Sequence, residues 1–262
     1  CSSDLRKVIK NAIAYITRKR NRTLIIFIIL TIVLSCLYSC LTIMKSSDEI
    51  EKALYESSNS SISITKKDGN YFNVNEFKDI EKLKEVEEII IQYDGLAKPT
   101  NINAVEGMQM VERDDLPEEF KNILSVEATN NTEKNNLFNS GTFTLTKGRH
   151  IEKDDREKII IHEELAQKNN LGLNDKIRLE LFDLNNNEIK KEYEFEVIGI
   201  FSGKKQEKYT GMTSDFSENM VFIDYESSQT ALNKAENNKV VNKLEIFSDS
   251  SEDTNIALNK IK

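Results

Sequence analysis

"LIIFIILTIVLSCLYSCLTIM", residues 24–44, holds 21 consecutive side chains without a formal charge. How it is read decides what kind of protein the remaining residues build. At about 1.5 Å of rise per residue it makes a helix of roughly 30 Å, the thickness of a bilayer's hydrocarbon core. Its second half, "TIVLSCLYSC" (31–40), admits another reading: Val33-Leu34-Ser35-Cys36 or Leu37-Tyr38-Ser39-Cys40 could be the box at which a signal peptide is cut and a new N-terminal Cys takes lipid. Length argues against the cut. A signal-peptide core runs about 7–15 residues, whereas here Leu41, Thr42, Ile43 and Met44 carry the apolar run past both cysteines. The prediction is an uncut membrane span over 24–44, marked by Leu24, Ile28, Ile32, Cys36, Cys40 and Met44, with the two cysteines one turn apart on one helix face.

The flanks set the orientation. Arg6, Lys7, Lys10, Arg18, Lys19, Arg20 and Arg22 precede the run; Lys45 and then Asp48, Glu49 and Glu51 follow it. Excess positive charge holds the N-terminus in the cytoplasm and places residues 45–262 outside, with Arg18, Lys19, Arg20 and Arg22 as the topology-setting group. Leu5, Ile9, Ile13 and Ile16 recur at helical spacing, so residues 6–23 read as an amphipathic helix on the inner surface, or as a plain run of charges. Residues 1–5, "CSSDL", read as a cloning scar and are set aside. The first 44 residues carry seven basic side chains and one acid, a net +6; with −8 overall, the remaining 218 carry −14. An acidic outer part is unsuited to nucleic acid, whose phosphates require Lys and Arg. It contains no Cys, so its core must hold it together without disulfides.

After the span, 45–58 continues as a helical stalk. "SISITKKDG" alternates as a strand; "NVNEFKDIEKLKEVEEI" places Phe77, Ile80, Leu83, Val86 and Ile90 on one helix face; "IIIQYDGLAKP" is a second strand ended by Pro99. Together they make a β-α-β unit. Residues 128–140, "ATNNTEKNNLFNS", read as a loose loop. "KIIIHEELAQKNNLG" reads as a buried strand and short helix with Gly172 at its C-cap, and "DKIRLELFD" and "KEYEFEVIGIF" as a hairpin around "LNNNE". "NMVFIDY", "ESSQTALNKA" and "VVNKLEIFS" read as strand, helix and strand. A last helix, "SEDTNIALNKIK", capped by Ser251, would lay Ile256, Leu258 and Ile261 on a sheet, and its returning strand is expected beyond Lys262.

"GRHIEKDDREKIIIHEELAQKNNLGLNDKIRLELFD", then "YEFEVIGIFSG" and "ENMVFIDY", closely resembles the extracytoplasmic core domain of MacB-like and FtsX-like ABC transporter permeases, and "NAIAYITRKRNRTLIIFIIL" (11–30) resembles the amphipathic helix and first span of such a permease, nearest to the Vex-type permeases of Gram-positive bacteria. The matching positions are Gly148, Arg149, Asp154, Asp155, Glu164, Leu165, Ala166, Leu173, Asp175, Val197 and Gly199, with a small departure at Leu171-Gly172-Leu173-Asn174-Asp175. The resemblance implies an α+β chain: one transmembrane helix and stalk, then over 59–262 a mixed α/β extracytoplasmic domain of β-α-β units (porter-like) with a β-rich inserted subdomain (sabre-like). It implies a permease of four spans in the cell membrane, working with a separate ABC ATPase subunit and a second permease subunit. ATP and magnesium would sit on the ATPase, none on this chain, and the motif residues would shape turns and strand ends.

Reactive constellations are missing from the sequence. "GIFSGKKQ" lacks the spacing and the hydroxyl of a phosphate-binding loop. His162 of "HEELA" has no second His four residues on, because position 166 is Ala, so a helix-start or surface role is expected for it rather than metal binding. No nucleophile elbow accompanies the many serines. Two functions follow: a non-catalytic transporter subunit that exports a peptide, drug or lipid-like molecule or transmits force, or a single-span or lipid-anchored binding or sensor module.

Overall fold

A computed structural model describes residues 6–8, 10–11, 14, 20–59, 61–106, 121–183, 188–189, 191–207, 210–248 and 251–261. It divides into two units, Cys1–Ser58 and Asn59–Lys262. The first is dominated by helix α1 (Arg20–Asn59), 40 residues without interruption. Its stretch Arg20–Ile43 is long and apolar enough to cross a membrane, and none of it is buried in protein. Thr31 and Thr42 return their hydroxyls to the Phe27 and Tyr38 carbonyls at 2.8 and 2.9 Å, which keeps those polar groups satisfied in an apolar surround. Of the helix predicted over 6–23, residues 6–8, 10–11, 14 and 20–23 are described and are helical, and the others lie outside the described residues.

The second unit is built on strands β1 (Ser61–Thr65), β2 (Phe72–Asn73), β3 (Glu88–Pro99), β4 (Leu124–Thr129), β5 (Phe143–Gly148) and β6 (Lys158–His162). Its remaining strands are β7 (Lys176–Asp183), β8 (Glu188–Ile189), β9 (Tyr193–Gly203), β10 (Met220–Asp224), β11 (Val240–Val241) and β12 (Lys243–Phe247). Helices α2 (Asn136–Asn139), α3 (Glu163–Lys168), α4 (Tyr225–Ala231) and α5 (Ser251–Ile261) punctuate them. The main sheet has ten strands, ordered β1-β12-β3-β4-β10-β6-β9-β7-β8, with β5 on β9. Because β7 also pairs back with β3 from Ala97 to Pro99, the strands β3, β4, β10, β6, β9 and β7 close into a barrel, which leaves those strands no free edge. β3 makes this possible by its length: Glu88–Gln92 pairs with β12, Gln92–Ala97 with β4, and its end with β7.

Alternation along the strands sorts side chains to the two faces. Tyr93, Ala97, Val126, Ile159, Ile161, Ile177, Phe195, Val221 and Ile223 belong to one buried cluster, completed by Leu165 and Ala166 of α3. Their neighbours Ile160, Met220 and Phe222 belong to a second, with Phe143, Ile151 and Phe201, under the segment that carries α2 and β5. Each fully buried Ile or Phe contributes about 1.5–3 kcal/mol relative to exposure, which is how the unit holds together without a disulfide.

Several expectations fail for physical reasons. The helix over 77–90 does not form: Val74–Phe77 and Ile80–Lys82 are single 3₁₀ turns, and Ile90 already lies in β3. Phe77, Ile80, Leu83 and Val86 are spaced by three, the 3₁₀ period, and Leu83 N–H donates to Ile80 O and Val86 N–H to Leu83 O. Nor are β1 and β3 neighbours, because β12 lies between them, antiparallel to both. Residues 128–140 are not loose. The Asn130 side chain accepts from Ile91 N–H and donates to Ile89 O, both at 2.8 Å, standing in for a strand residue. Asn131 Oδ1 accepts from Glu133 N–H and Asn135 Oδ1 from Leu137 N–H, the local side-chain bonds at which Asn excels. Gly172 does not cap α3: Asn170 takes the left-handed conformation (φ 52°) while Leu171 N–H reaches Ala166 O at 2.9 Å, a Schellman closure. "VVNKLEIFS" splits at Asn242, whose Oδ1 accepts from Asp94 N–H, so that β11 pairs with β2 in a separate two-stranded sheet. In α5, Thr254 and Ala257 are buried while Ile256 is exposed. β4 and β5 form where the sequence predicts no strand.

Candidate functional site

The motif residues converge on β9. Opposite β6, Ile159 faces Val197 and Ile160 faces Gly199, so Ile198 is an extra residue, a β-bulge. Its carbonyl accepts from Arg149 N–H at 3.0 Å. Gly148 sits directly across from Gly199 in the β5–β9 pairing. With φ at +77°, a Cβ on Gly148 would lie 2.0 Å from Ile198 O, and one on Gly199 would lie 2.7 Å from Arg149 O. Two residues without Cβ, back to back, therefore let the turn after β5 lie against the bulge. The other flank is held by the turn before β7. Asn174 N–H donates to Val197 O and Val197 N–H to Asp175 O, each at 2.8 Å, while Asp175 Oδ2 accepts from Gly172 N–H at 2.7 Å.

Arg149 forms a two-pronged pair with Asp155, both contacts at 2.6 Å, and Asp155 also accepts from Glu152 N–H at 2.9 Å. Burial pushes the Asp155 carboxyl up, but the Arg149 guanidinium and the Glu152 amide outweigh it and hold it below the usual range. Arg149 is raised in turn, first by its bond to Asp155. Asp154 is exposed. α3 starts from His162, which is 2% exposed; its Nδ1 accepts from Glu164 N–H at 3.2 Å, and Nε2 therefore donates to Gly203 O at 3.0 Å. Leu165 and Ala166 point into the barrel core, and Glu164 is exposed.

A cleft of about 120 Å³ opens beside this turn, lined by Asn130, Asp154, Asp155, Arg156, Asp224 and Glu226 among others. Asp224 caps α4, accepting from Ser227 N–H at 2.8 Å and from Lys158 N–H at 2.9 Å; burial raises its pKa. Asp224, like Asn130, is not singled out by the sequence, although Asp before a short amphipathic run is an N-cap signal. Asp155 and Asp224 are committed to backbone amides and to Arg149, so the arrangement fixes shape. Among the described residues no group of three His, Cys, Asp or Glu side chains could hold a metal ion. On α1, Leu24, Ile28, Ile32, Cys36 and Cys40 are all exposed, and Met44 lies within the same helix. Arg20 and Arg22 open that helix, while Arg18 and Lys19 lie outside the described residues.

Residues 23–262 match the model of the MacB-like periplasmic core domain. The chain belongs to that family. The match takes in both the apolar helix and the barrel of this MacB-like protein. Comparison with curated protein sequences finds no match. Among solved structures, the MacB-like chain is similar to the periplasmic region of MacB from Actinobacillus actinomycetemcomitans, at 12% identity, over 76% of this chain and 73% of that one, with a TM-score of 0.42. It is also similar to the extracellular domain of the noncanonic ABC-type transporter YknZ from Gram-positive bacteria, at 10% identity, over 75% and 86% of the two chains, with a TM-score of 0.39.

Proposed function

We propose that this MacB-like chain is the membrane subunit of an ABC transporter of the MacB/FtsX type. Its N-terminus lies in the cytoplasm, held by Arg18, Lys19, Arg20 and Arg22, and residues 45–262 lie outside. A separate ATPase subunit holds ATP and magnesium, and a second permease subunit completes the assembly. This chain performs no bond chemistry. It turns closure of the ATPase into movement of the outer domain, which expels a peptide, drug or lipid-like molecule.

The observation that carries this reading is α1, one unbroken helix of 40 residues joining span and stalk. At about 1.5 Å per residue it extends roughly 60 Å, and a helix without a break passes displacement along its axis. The family match supports the same reading, since it spans residues 23–262, from the apolar helix through the barrel domain.

The test is to reconstitute the permease with its ATPase in nanodiscs and to follow the distance between spin labels on two outer domains with and without ATP. The separation should change on ATP binding, and a Pro-Gly pair replacing residues 51–52 should abolish that change while ATP hydrolysis persists. An outer domain that never responds to ATP would sink the proposal.

A further inference from the structure

Beneath the segment 130–151, the outer face of the barrel holds an ionisable group that the transport reading does not use. Glu127, in the middle of β4, is 4% exposed. The β3–β4 register sets Asp94 directly across from it, and the β10–β4 register sets Phe222 on its other side. Opposed residues of an antiparallel pair have Cβ atoms about 4.5–5.5 Å apart, so the buried Glu127 carboxyl lies beside that of Asp94, which is exposed and accepts from Gln92 Nε2 at 3.0 Å. Glu127 accepts a hydrogen bond from Nδ2 of Asn135, an uncharged amide 5% exposed. Through Oδ1 the same Asn135 caps α2. One turn on, Phe138 packs against Phe143, Phe201 and Phe222 at ring separations of 6.0, 5.7 and 5.1 Å. Asn135 thus ties the covering segment to the carboxyl beneath it.

We propose that Glu127 and Asn135 form a proton-operated latch: with Glu127 neutral the turn 135–142 that carries α2 lies closed over the aromatic patch, and ionisation of Glu127 beside Asp94 releases it. A neutral carboxyl is at home in this setting, whereas a carboxylate buried against an amide and facing another carboxylate is not. Burial and then Asp94 push Glu127 up to about 8, against the opposing pull of Asn135, Lys205 and Lys243. The other charged groups around the segment behave differently. His150, whose Nδ1 lies 3.0 Å from Thr132 Oγ1, is lowered by burial and is uncharged between pH 7 and 9. Lys134, bonded to Glu88 at 2.7 Å with Glu87 nearby, is raised by that bond and stays charged. His162 stands edge-on to Phe201 and is bonded to Gly203 O. The latch is independent of any ATPase.

Amide hydrogen exchange of the full chain in detergent micelles, between pH 6.5 and 9.5 and corrected for base catalysis, reads it directly. Protection of residues 136–142 should fall at least tenfold as the pH rises from 6.5 towards 8, and should level off above the value of about 8 that Glu127 has in the closed form, while β6 and β10 keep theirs. Glu127→Gln should remove the pH dependence, and Asp94→Asn should lower the pH at which it levels off by about one unit. A wild-type segment whose protection does not change with pH overturns the latch. So does a transition retained in Glu127→Gln, or one unmoved in Asp94→Asn; the last keeps the test alive if the Gln variant does not fold.

Discussion

Replacing Gly148 by Ala puts the close approach at the bulge to a quantitative test, because the molecule supplies its own control. Gly148 and Gly141 share nearly the same backbone, with φ of +77° and +72°, but a Cβ at Gly141 meets nothing within 4 Å whereas one at Gly148 would sit 2.0 Å from Ile198 O and 2.9 Å from Gly199 Cα. Both substitutions carry the left-handed strain of an L-residue, about 1–2 kcal/mol. Only Gly148→Ala adds overpacking, about 1–3 kcal/mol, together with loss of the Arg149 to Ile198 hydrogen bond, about 1 kcal/mol. The difference between the two variants is therefore about 2–4 kcal/mol. For a unit of this size, at roughly 2–4 °C per kcal/mol, Gly148→Ala should melt about 4–16 °C below Gly141→Ala. Thermal unfolding of the full chain in detergent, followed by circular dichroism of the β-sheet signal, measures both. Melting points within about 2 °C of each other would refute the claim that Gly148 serves the close approach.

Other substitutions probe separate contacts. Asp155→Asn removes a carboxylate held below its ordinary value. Wild-type stability from this group is present above pH 3.8 and is lost as pH falls through the folded pKa, so the variant should be weaker at neutral pH and show a shallower acid limb in pH-dependent unfolding. Asn130→Ala deprives Ile91 N–H and Ile89 O of their partner; about 2–4 kcal/mol should be lost in urea titrations, with the m-value unchanged. Lys234 bonds Asp183 at 2.9 Å with side chains 16% and 3% exposed, so Lys234→Ala should cost about 3 kcal/mol by thermal melting. Lys82→Ala, at a pair 76% and 92% exposed, should leave the melting point unmoved.

What sequence could show here is tied to how each signal arises. α1 was legible because an uncharged run is a statement of composition alone. Strands β1, β3, β6, β7, β9 and β10 were legible because alternation or a β-branched run is local. Barrel closure was not, since it depends on Ala97–Pro99 meeting Leu179–Leu181 across 80 residues of chain. The false helix at 77–90 shows a period misread: a spacing of three satisfies a string of 3₁₀ turns as well as an α-helix over so short a run. Residues 128–140 mislead in the opposite way, because Asn and Thr look like solvent-loving residues until Asn130 and Asn135 are found bonding buried backbone and Glu127. At the candidate site, the motif letters Gly148, Arg149, Asp175, Val197 and Gly199 were visible. Their meeting on one bulge of β9 was not, as nothing local announces that Ile198 is unpaired against β6.

The shared strand β3 has a mechanical consequence. Chain entering the domain through β1 is hydrogen-bonded to β12, and β12 to the first residues of β3; the far end of β3 is stitched into the hoop on both sides at Ala97. A tug along β1 therefore loads these bonds in parallel, as shear, and reaches the hoop as a whole. A pull across the strands would meet them one at a time, like a zip. The domain is thus stiff in one direction and yielding in the other, and a handle of three strands determines which of the two a load on β1 encounters.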